Sequence, residues 1–198
     1  MDNPYTSLAS MDLPNRLTLS RIAAIPLLVG LLFLSGAFWQ WLALLIYIAA
    51  CVTDYYDGKL ARRRAQVSAL GRFLDPIADK LLVAAIVLAL VAVDRIAGWL
   101  VLPALVILCR EVLVSGLREY LAELQVSVPV SKLAKWKTTV QMVALGLLIL
   151  GPAGPWGIAT LGAIGLWIAA ALTLVTGYDY LRVGLRHMTD EPRNGDAA

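Results

Sequence analysis

The sequence predicts an all-α, polytopic membrane protein with six transmembrane helices and both termini on the cytoplasmic side, and three observations predict it. Hydrophobic residues make up 60% of the 198 positions, with a mean hydropathy of +0.75, too apolar for a soluble domain of this length. The apolar residues run on for roughly 20 positions at a time, the length of a membrane-spanning helix, and not in the alternating ten-residue stretches of a barrel. Of the 17 Lys and Arg residues, all but Arg95 fall on one side of the spans so defined, the asymmetry that marks the cytoplasmic face.

The spans follow in order. The first, Leu17 to Ser35, is preceded by residues 1–16, which lack a basic start, and no small-residue cleavage site follows the run. These residues are therefore expected to stay as a cytoplasmic or interfacial segment. The second span, Phe38 to Leu60, follows the turn "SGAFWQ" and ends in a basic run, and the third covers Arg72 to Val93. After "DRIAG" comes the fourth, Ala97 to Glu123; the fifth is Trp136 to Gly151; and "GPAGPWG" leads into the sixth, Trp156 to Arg186. Residues 17–186 are thus expected to form one six-helix domain and residues 187–198 a polar tail, of which the last eight or so residues have the composition of a disordered end. The three quoted connections, rich in Gly, Pro and Trp, read as turns with interfacial aromatic anchors and nothing more.

Nearly all chemistry-capable groups lie on the cytoplasmic side, so an active site is expected there. The net charge of +3 serves topology, and no nucleic-acid signature is present. Cys51 and Cys109 stand apart, without a CxxC partner or a neighbouring His, and read as small packing residues.

Four aspartates interrupt this apolar pattern. Asp54 and Asp57 are three apart at the end of the second span, and Asp75 and Asp79 are four apart near the start of the third, so each pair shares a helix face. A carboxylate at the centre of a membrane helix costs about 2.5–3.5 kcal/mol on insertion scales, and four together repel one another. One offset is a solvated ion-pair network with Arg62, Arg63, Arg64, Arg72 and Lys80. The other is a pocket of oxygen ligands for hard divalent cations such as Mg2+. Paired carboxylates on consecutive helices favour the pocket, and two ions roughly 3.5–4 Å apart would clamp both oxygens of a phosphoryl transfer.

The pattern Asp54-x2-Asp57-Gly58-x2-Ala61-Arg62-x8-Gly71-x3-Asp75-x3-Asp79, eight specified positions within 26 residues, resembles the signature of the CDP-alcohol phosphotransferase family. That resemblance implies a six-helix membrane enzyme, acting as a homodimer, that displaces CMP from a CDP-linked alcohol with the hydroxyl of a second alcohol. It implies that Asp54, Asp57 and Asp75 hold two Mg2+ or Mn2+ ions, with Asp79 contributing to that site and serving as general base. Coupled carboxylates titrate as a group, so the base is less firmly assigned than the ligands. Gly58 and Gly71 serve either close helix packing or, as the family suggests, room for cytidine and its pyrophosphate. The same resemblance implies that Ala61 lines that site and that Arg62 faces the phosphates as a forked donor.

The acceptor alcohol is a separate question. "LPNRLTLSR" resembles the start of the first helix in members of the family that use glycerol 3-phosphate: Asn15 and Thr18 would line the nucleotide site and Arg21 would meet a phosphate. The plainer alternative is a Pro-initiated helix start capped by Asn. Arg110 and Arg118 lie eight apart on roughly one face of the fourth span, and Lys132, Lys135 and Lys137 precede the fifth. These cations suit a phosphate that is not transferred; the alternative is topology charge plus Arg–Glu pairing within the helix. The segments Arg-Glu, Ser-Gly-x-Arg-Glu and Lys-x-Lys-Thr-x2-Gln resemble the bacterial, glycerol 3-phosphate-using branch, with Ala134 standing where that branch more often has Gly. The resemblance covers Leu13 to Tyr180. It implies transfer of the phosphatidyl group of CDP-diacylglycerol to glycerol 3-phosphate by a two-metal in-line displacement, in a bacterial inner membrane. Inositol phosphate, inositol, serine or phosphatidylglycerol are alternative acceptors, and a divalent-cation transporter is the rival from another class.

Overall fold

The expected apolar runs form α-helices in the computed structural model, which describes residues 13–64, 69–123 and 132–189; within these, the side chains of 13–17, 54–64, 69–76, 122–123, 132, 179, 183 and 185–189 are outside the description. The helices are α1 (Leu13–Leu32), α2 (Ala37–Arg64), α3 (Ala69–Ala92), α4 (Val101–Glu123), α5 (Lys132–Leu150) and α6 (Ile158–Thr189), and no strand occurs among the described residues. Residues 1–12, from the expected N-terminal segment, and the end of the tail from residue 190 lie outside the described residues.

Three helix starts lie four residues from expectation, and the others lie one to three residues away. Helix α1 begins at Leu13, so Pro14 sits in the first turn, where its missing N–H costs nothing, and Asn15 lies within the helix instead of capping it. Helix α5 begins at Lys132 and not Trp136, because nothing from Lys132 to Lys135 breaks a helix; Ala134 is a buried helical residue whose carbonyl accepts from the Thr138 hydroxyl at 3.1 Å. Ahead of α4, a 3-10 turn (Gly98–Leu100) replaces the expected first helical residues, with Gly98 at a φ of +56°, a conformation that favours glycine.

Three segments, Gly98–Leu121, Leu133–Ala153 and Ile158–Arg182, are long and apolar enough to cross a membrane, and Thr18–Leu32 and Ala37–Thr53 are shorter apolar helices. The chain is therefore an integral membrane protein in character. Leu45, Leu88, Leu105, Val112 and Leu174 are exposed along the helices, as lipid-facing residues are, and Trp41, Trp99 and Trp156 are exposed near helix ends, where indole rings favour the membrane interface.

The helices pack around a core that includes Leu28, Ile86, Leu90, Ile107, Leu145, Leu148 and Leu166. Helix α1 packs against α2 and α3, whereas α6 packs against α5 and α4. Small residues allow the second arrangement, since close backbone approach is how membrane helices gain packing energy. A Cβ added at Gly165 would lie 3.0 Å from the Ala144 Cβ of α5, and one added at Gly184 would lie 2.6 Å from Leu117 of α4. The two halves meet where α2 touches α5: the buried Tyr47 donates its hydroxyl proton to the Met142 carbonyl at 3.0 Å.

Arg95, expected as a stray cation in a plain turn, has a structural task. Its Nη1 donates to the carbonyls of Leu148 (3.3 Å) and Ile149 at the end of α5. Helix ends leave such carbonyls unpaired, and a cation there complements the helix dipole. Gly151, with a φ of +46°, ends the helix beneath the Arg95 side chain in the manner of a glycine C-cap. Partial burial lowers the Arg95 pKa from its ordinary value. Cys51 packs against the core as expected, while Cys109 is exposed on α4.

Replacing Gly165 by Val should destabilise the protein by about 1–3 kcal/mol, the usual cost of overpacking, because Ala144 has no rotamer with which to retreat. Gly30→Ala, where an added Cβ meets nothing within 4 Å, should leave stability unchanged or slightly raised. Thermal unfolding of both variants in detergent micelles measures the difference.

Candidate functional site

Of the charged residues named from the sequence, the described ones lie in the first halves of α1 (Arg21), α3 (Asp79) and α5 (Lys135, Lys137), and near the middle (Arg110) and in the second half (Arg118) of α4. The structure forms two groups from them. In the first, Thr18 and Arg21 occupy the buried face of α1, at 1% and 3% exposure. Arg21 Nη1 donates to Asp79 Oδ1 of α3 at 3.0 Å, and the Asp79 side chain is half exposed. Arg21, expected at the acceptor phosphate, is thus found beside a carboxylate of the aspartate set. As α1 packs on both α2 and α3, it ties together the two helices that carry the aspartates.

Asp54 and Asp57 lie in the final third of α2, and Asp75 and Asp79 in the first half of α3. Continuous helix through both stretches keeps each pair of positions on one face. The side chains of Asp54, Asp57 and Asp75 lie outside the described residues, as do those of Asn15, Ala61 and Arg62, together with Gly58 and Gly71. Among the described residues no group of three or more His, Cys, Asp or Glu side chains gathers. Four carboxylates, supplying only oxygen, would fit Mg2+ or Mn2+ if they served as ligands.

The second group joins α4, α5 and α6. Lys137 is buried, its side chain only 4% exposed, and its ammonium donates to Glu111 Oε1 of α4. Arg110 Nη1 reaches the same oxygen at 3.4 Å, and its Nη2 reaches the Thr176 hydroxyl of α6 at 3.4 Å. Gly177 makes room for it: a Cβ there would lie 3.1 Å from Arg110 Cγ. Arg118, two turns along α4, donates from Nη2 to the Tyr180 hydroxyl at 2.6 Å. Both guanidinium groups lie against the Tyr180 ring, 4.8 Å (Arg118) and 5.9 Å (Arg110) from its centroid, within the range of a cation–π attraction. Among the described residues, Arg110 Nε, Gln141 Oε1 and Thr173 Oγ1 are buried without a hydrogen-bond partner.

The structure therefore unites Arg110, Arg118 and Lys137 but leaves Lys135 exposed on α5. Sequence reasoning weighed Glu111 only as a partner within its helix and did not single out Thr176, Gly177 or Tyr180. A signal for them exists: Thr173, Thr176, Gly177, Tyr180 and Gly184 fall on one helical face of a run otherwise made largely of Leu, Ile, Val and Ala.

Comparison with known proteins identifies the family. The family model described as CDP-alcohol phosphatidyltransferase matches residues 11–175. The chain belongs to the CDP-alcohol phosphatidyltransferase family. Among its relatives, a Rickettsia typhi protein named CDP-diacylglycerol--glycerol-3-phosphate 3-phosphatidyltransferase is 47% identical over 174 residues, covering 86% of this chain and 96% of the relative. A Cereibacter sphaeroides protein of the same name is 41% identical over 220 residues, covering 91% of this chain and 98% of the relative. A Salmonella choleraesuis protein, also so named, is 41% identical over 182 residues with the same coverage, 91% and 98%.

Glu111→Gln should destabilise the fold by roughly 3–5 kcal/mol, because it strands a buried ammonium. Adding Lys137→Met should recover most of that stability without restoring activity. A double-mutant cycle on unfolding and turnover together checks both halves of the expectation.

Proposed function

We propose that this chain is a CDP-diacylglycerol:glycerol-3-phosphate phosphatidyltransferase of the bacterial inner membrane. Six spans and cytoplasmic termini would place the charged end of the bundle at the cytoplasm, with the enzyme acting as a homodimer. The observation that carries the reading is the convergence of Arg110, Arg118 and Lys137 on a single carboxylate and a single phenol. Three cations against Glu111 leave two formal positive charges, which match the dianionic phosphate of glycerol 3-phosphate and are wasted on an acceptor without phosphate. Arg110 Nε, buried without a partner among the described residues, is a donor for that phosphate.

Asp54, Asp57, Asp75 and Asp79 would hold two Mg2+ or Mn2+ ions, which when bound supply positive charge to the pyrophosphate of CDP-diacylglycerol. On the donor side Asn15, Thr18, Gly58, Ala61, Arg62 and Gly71 make room for and orient the nucleotide, with Arg62 as forked donor to its phosphates. On the acceptor side the basic cluster grips the phosphate of glycerol 3-phosphate, so that its terminal hydroxyl is presented to the donor phosphorus. Asp79, half exposed and anchored by Arg21, takes the hydroxyl proton as that oxygen attacks in line. The bond to CMP breaks on the opposite side, CMP departs to the cytoplasm, and phosphatidylglycerol phosphate remains in the bilayer. Arg21 acts through Asp79, and Lys135 serves the acceptor from the exposed rim.

Purified protein in micelles of CDP-diacylglycerol should release CMP when given glycerol 3-phosphate. It should release little with inositol, serine, inositol phosphate or phosphatidylglycerol. A preference for any of these others would overturn the acceptor assignment. Stripping divalent ions with a chelator should abolish turnover, and excess Mg2+ should restore it in the native protein but not in Asp57→Asn. Chelator-resistant activity would remove the metal from the reaction.

A further inference from the structure

Tyr180 belongs to α6, far in sequence from both arginines, yet it is the common surface on which they lie. It is 4% exposed. Its hydroxyl takes a 2.6 Å hydrogen bond from Arg118 Nη2, and its ring lies 4.8 Å and 5.9 Å from the Arg118 and Arg110 guanidinium carbons. Like charges on one helix face repel, and Arg110 also has Glu111 and Thr176 to hold it. Arg118 differs: it is an exposed residue of α4, and Tyr180 is its only hydrogen-bond partner among the described residues. Without that phenol a long side chain at a membrane surface would turn to lipid headgroups, as snorkelling arginines do.

We propose that Tyr180 is a positioning residue for the acceptor phosphate: its ring sets the spacing of Arg110 and Arg118, and its hydroxyl holds Arg118 in the orientation that receives a phosphate dianion. The inference rests on the acceptor reading above and deepens it. Two neighbours on α6 complete the cradle. Gly177 leaves the volume that the Arg110 stem occupies, and Thr176 accepts from Arg110 Nη2. The gain is preorganisation: the two forks are aimed before the phosphate arrives, so less ordering accompanies binding.

Two variants separate the ring from the hydroxyl. Tyr180→Phe keeps the cation–π surface and loses the hydrogen bond, and should raise the KM for glycerol 3-phosphate about three- to tenfold, the scale of one charge-assisted hydrogen bond. Tyr180→Leu loses both and should raise it about ten- to a hundredfold. The KM for CDP-diacylglycerol should stay within about twofold of the native value in both, on the same free-energy scale. Gly177→Ala, which pushes on Arg110, should resemble Tyr180→Phe. A merely structural role would instead lower kcat and the melting temperature and move both KM values together.

Calorimetric binding of inorganic phosphate to the native protein, Tyr180→Phe and Tyr180→Leu gives a second measure that needs no turnover. Weakening in the order native, Phe, Leu, with unchanged melting temperature, supports the inference. Equal phosphate affinity in all three overturns it. If the native protein binds phosphate in that graded way but does not use glycerol 3-phosphate as acceptor, the proposed function fails while the role of Tyr180 stands.

Discussion

The ion pair between Lys137 and Glu111 is the constraint on which the arrangement of the charged end depends. Lys137 sits on the buried face of α5, in line with Ala134, Gln141, Ala144 and Leu148, where an unpaired ammonium would carry a large desolvation cost. Glu111 supplies the counter-charge from α4, and the same oxygen holds Arg110. Helices α4 and α5 each pack mainly on α6, so this carboxylate also ties them to each other at one end. A purely apolar contact would stabilise the bundle at least as well, since buried ion pairs rarely contribute net stability.

The bundle divides into two triplets of helices with different tasks. Helix α1 is the hub of the first, packing on α2 and α3, which carry the aspartates; α6 is the hub of the second, packing on α4 and α5, which carry the basic cluster. Each hub lends a polar side chain to its neighbour's charge: Arg21 to Asp79 in one case, and Tyr180 with Thr176 to the two arginines in the other. The triplets are joined by the Tyr47 hydroxyl on the Met142 carbonyl and, at the far end, by Arg95 on the last turn of α5. Gly146 lies beside the first contact, where an added Cβ would come within 3.4 Å of the Tyr47 ring.

The sequence revealed some of this and concealed the rest for physical reasons. Helix existence was legible, because apolar runs of this length leave the backbone no other way to satisfy its hydrogen bonds in lipid. Helix starts were less so: Pro14 and Lys132–Lys135 look like boundary residues by composition, but neither prevents a helix from beginning earlier. The aspartate pattern was legible because it is local, held within 26 residues. The basic cluster is assembled from positions up to 70 apart in sequence, between Arg110 and Tyr180, and no local pattern says which partner a cation will find. Lys135 and Lys137 look alike in the chain, yet one is exposed and the other buried, because two residues along a helix turn a side chain through most of a half circle. Arg95 misled for the same reason: its partners are backbone carbonyls of a helix some fifty residues onward, invisible to any reading of side chains.

The different footing of the two sites also bears on how an acceptor would be chosen in the proposed reaction. Metal-ligating carboxylates would act on a pyrophosphate that every CDP-linked donor shares, so nothing in them would discriminate among acceptors. In the proposed reaction the basic cluster would discriminate by leaving charge unsatisfied. Two guanidinium groups held against one phenol ring repel each other, and Glu111 offsets only part of the surrounding positive charge. An acceptor phosphate removes that residual repulsion, while a neutral alcohol in its place would displace water from Arg110 and Arg118 and return no negative charge. Such a penalty against the wrong partner can outweigh any gain in contacts with the right one. Selectivity would then depend on keeping the arginines close together, which is the work of the α6 face that carries Thr176, Gly177 and Tyr180.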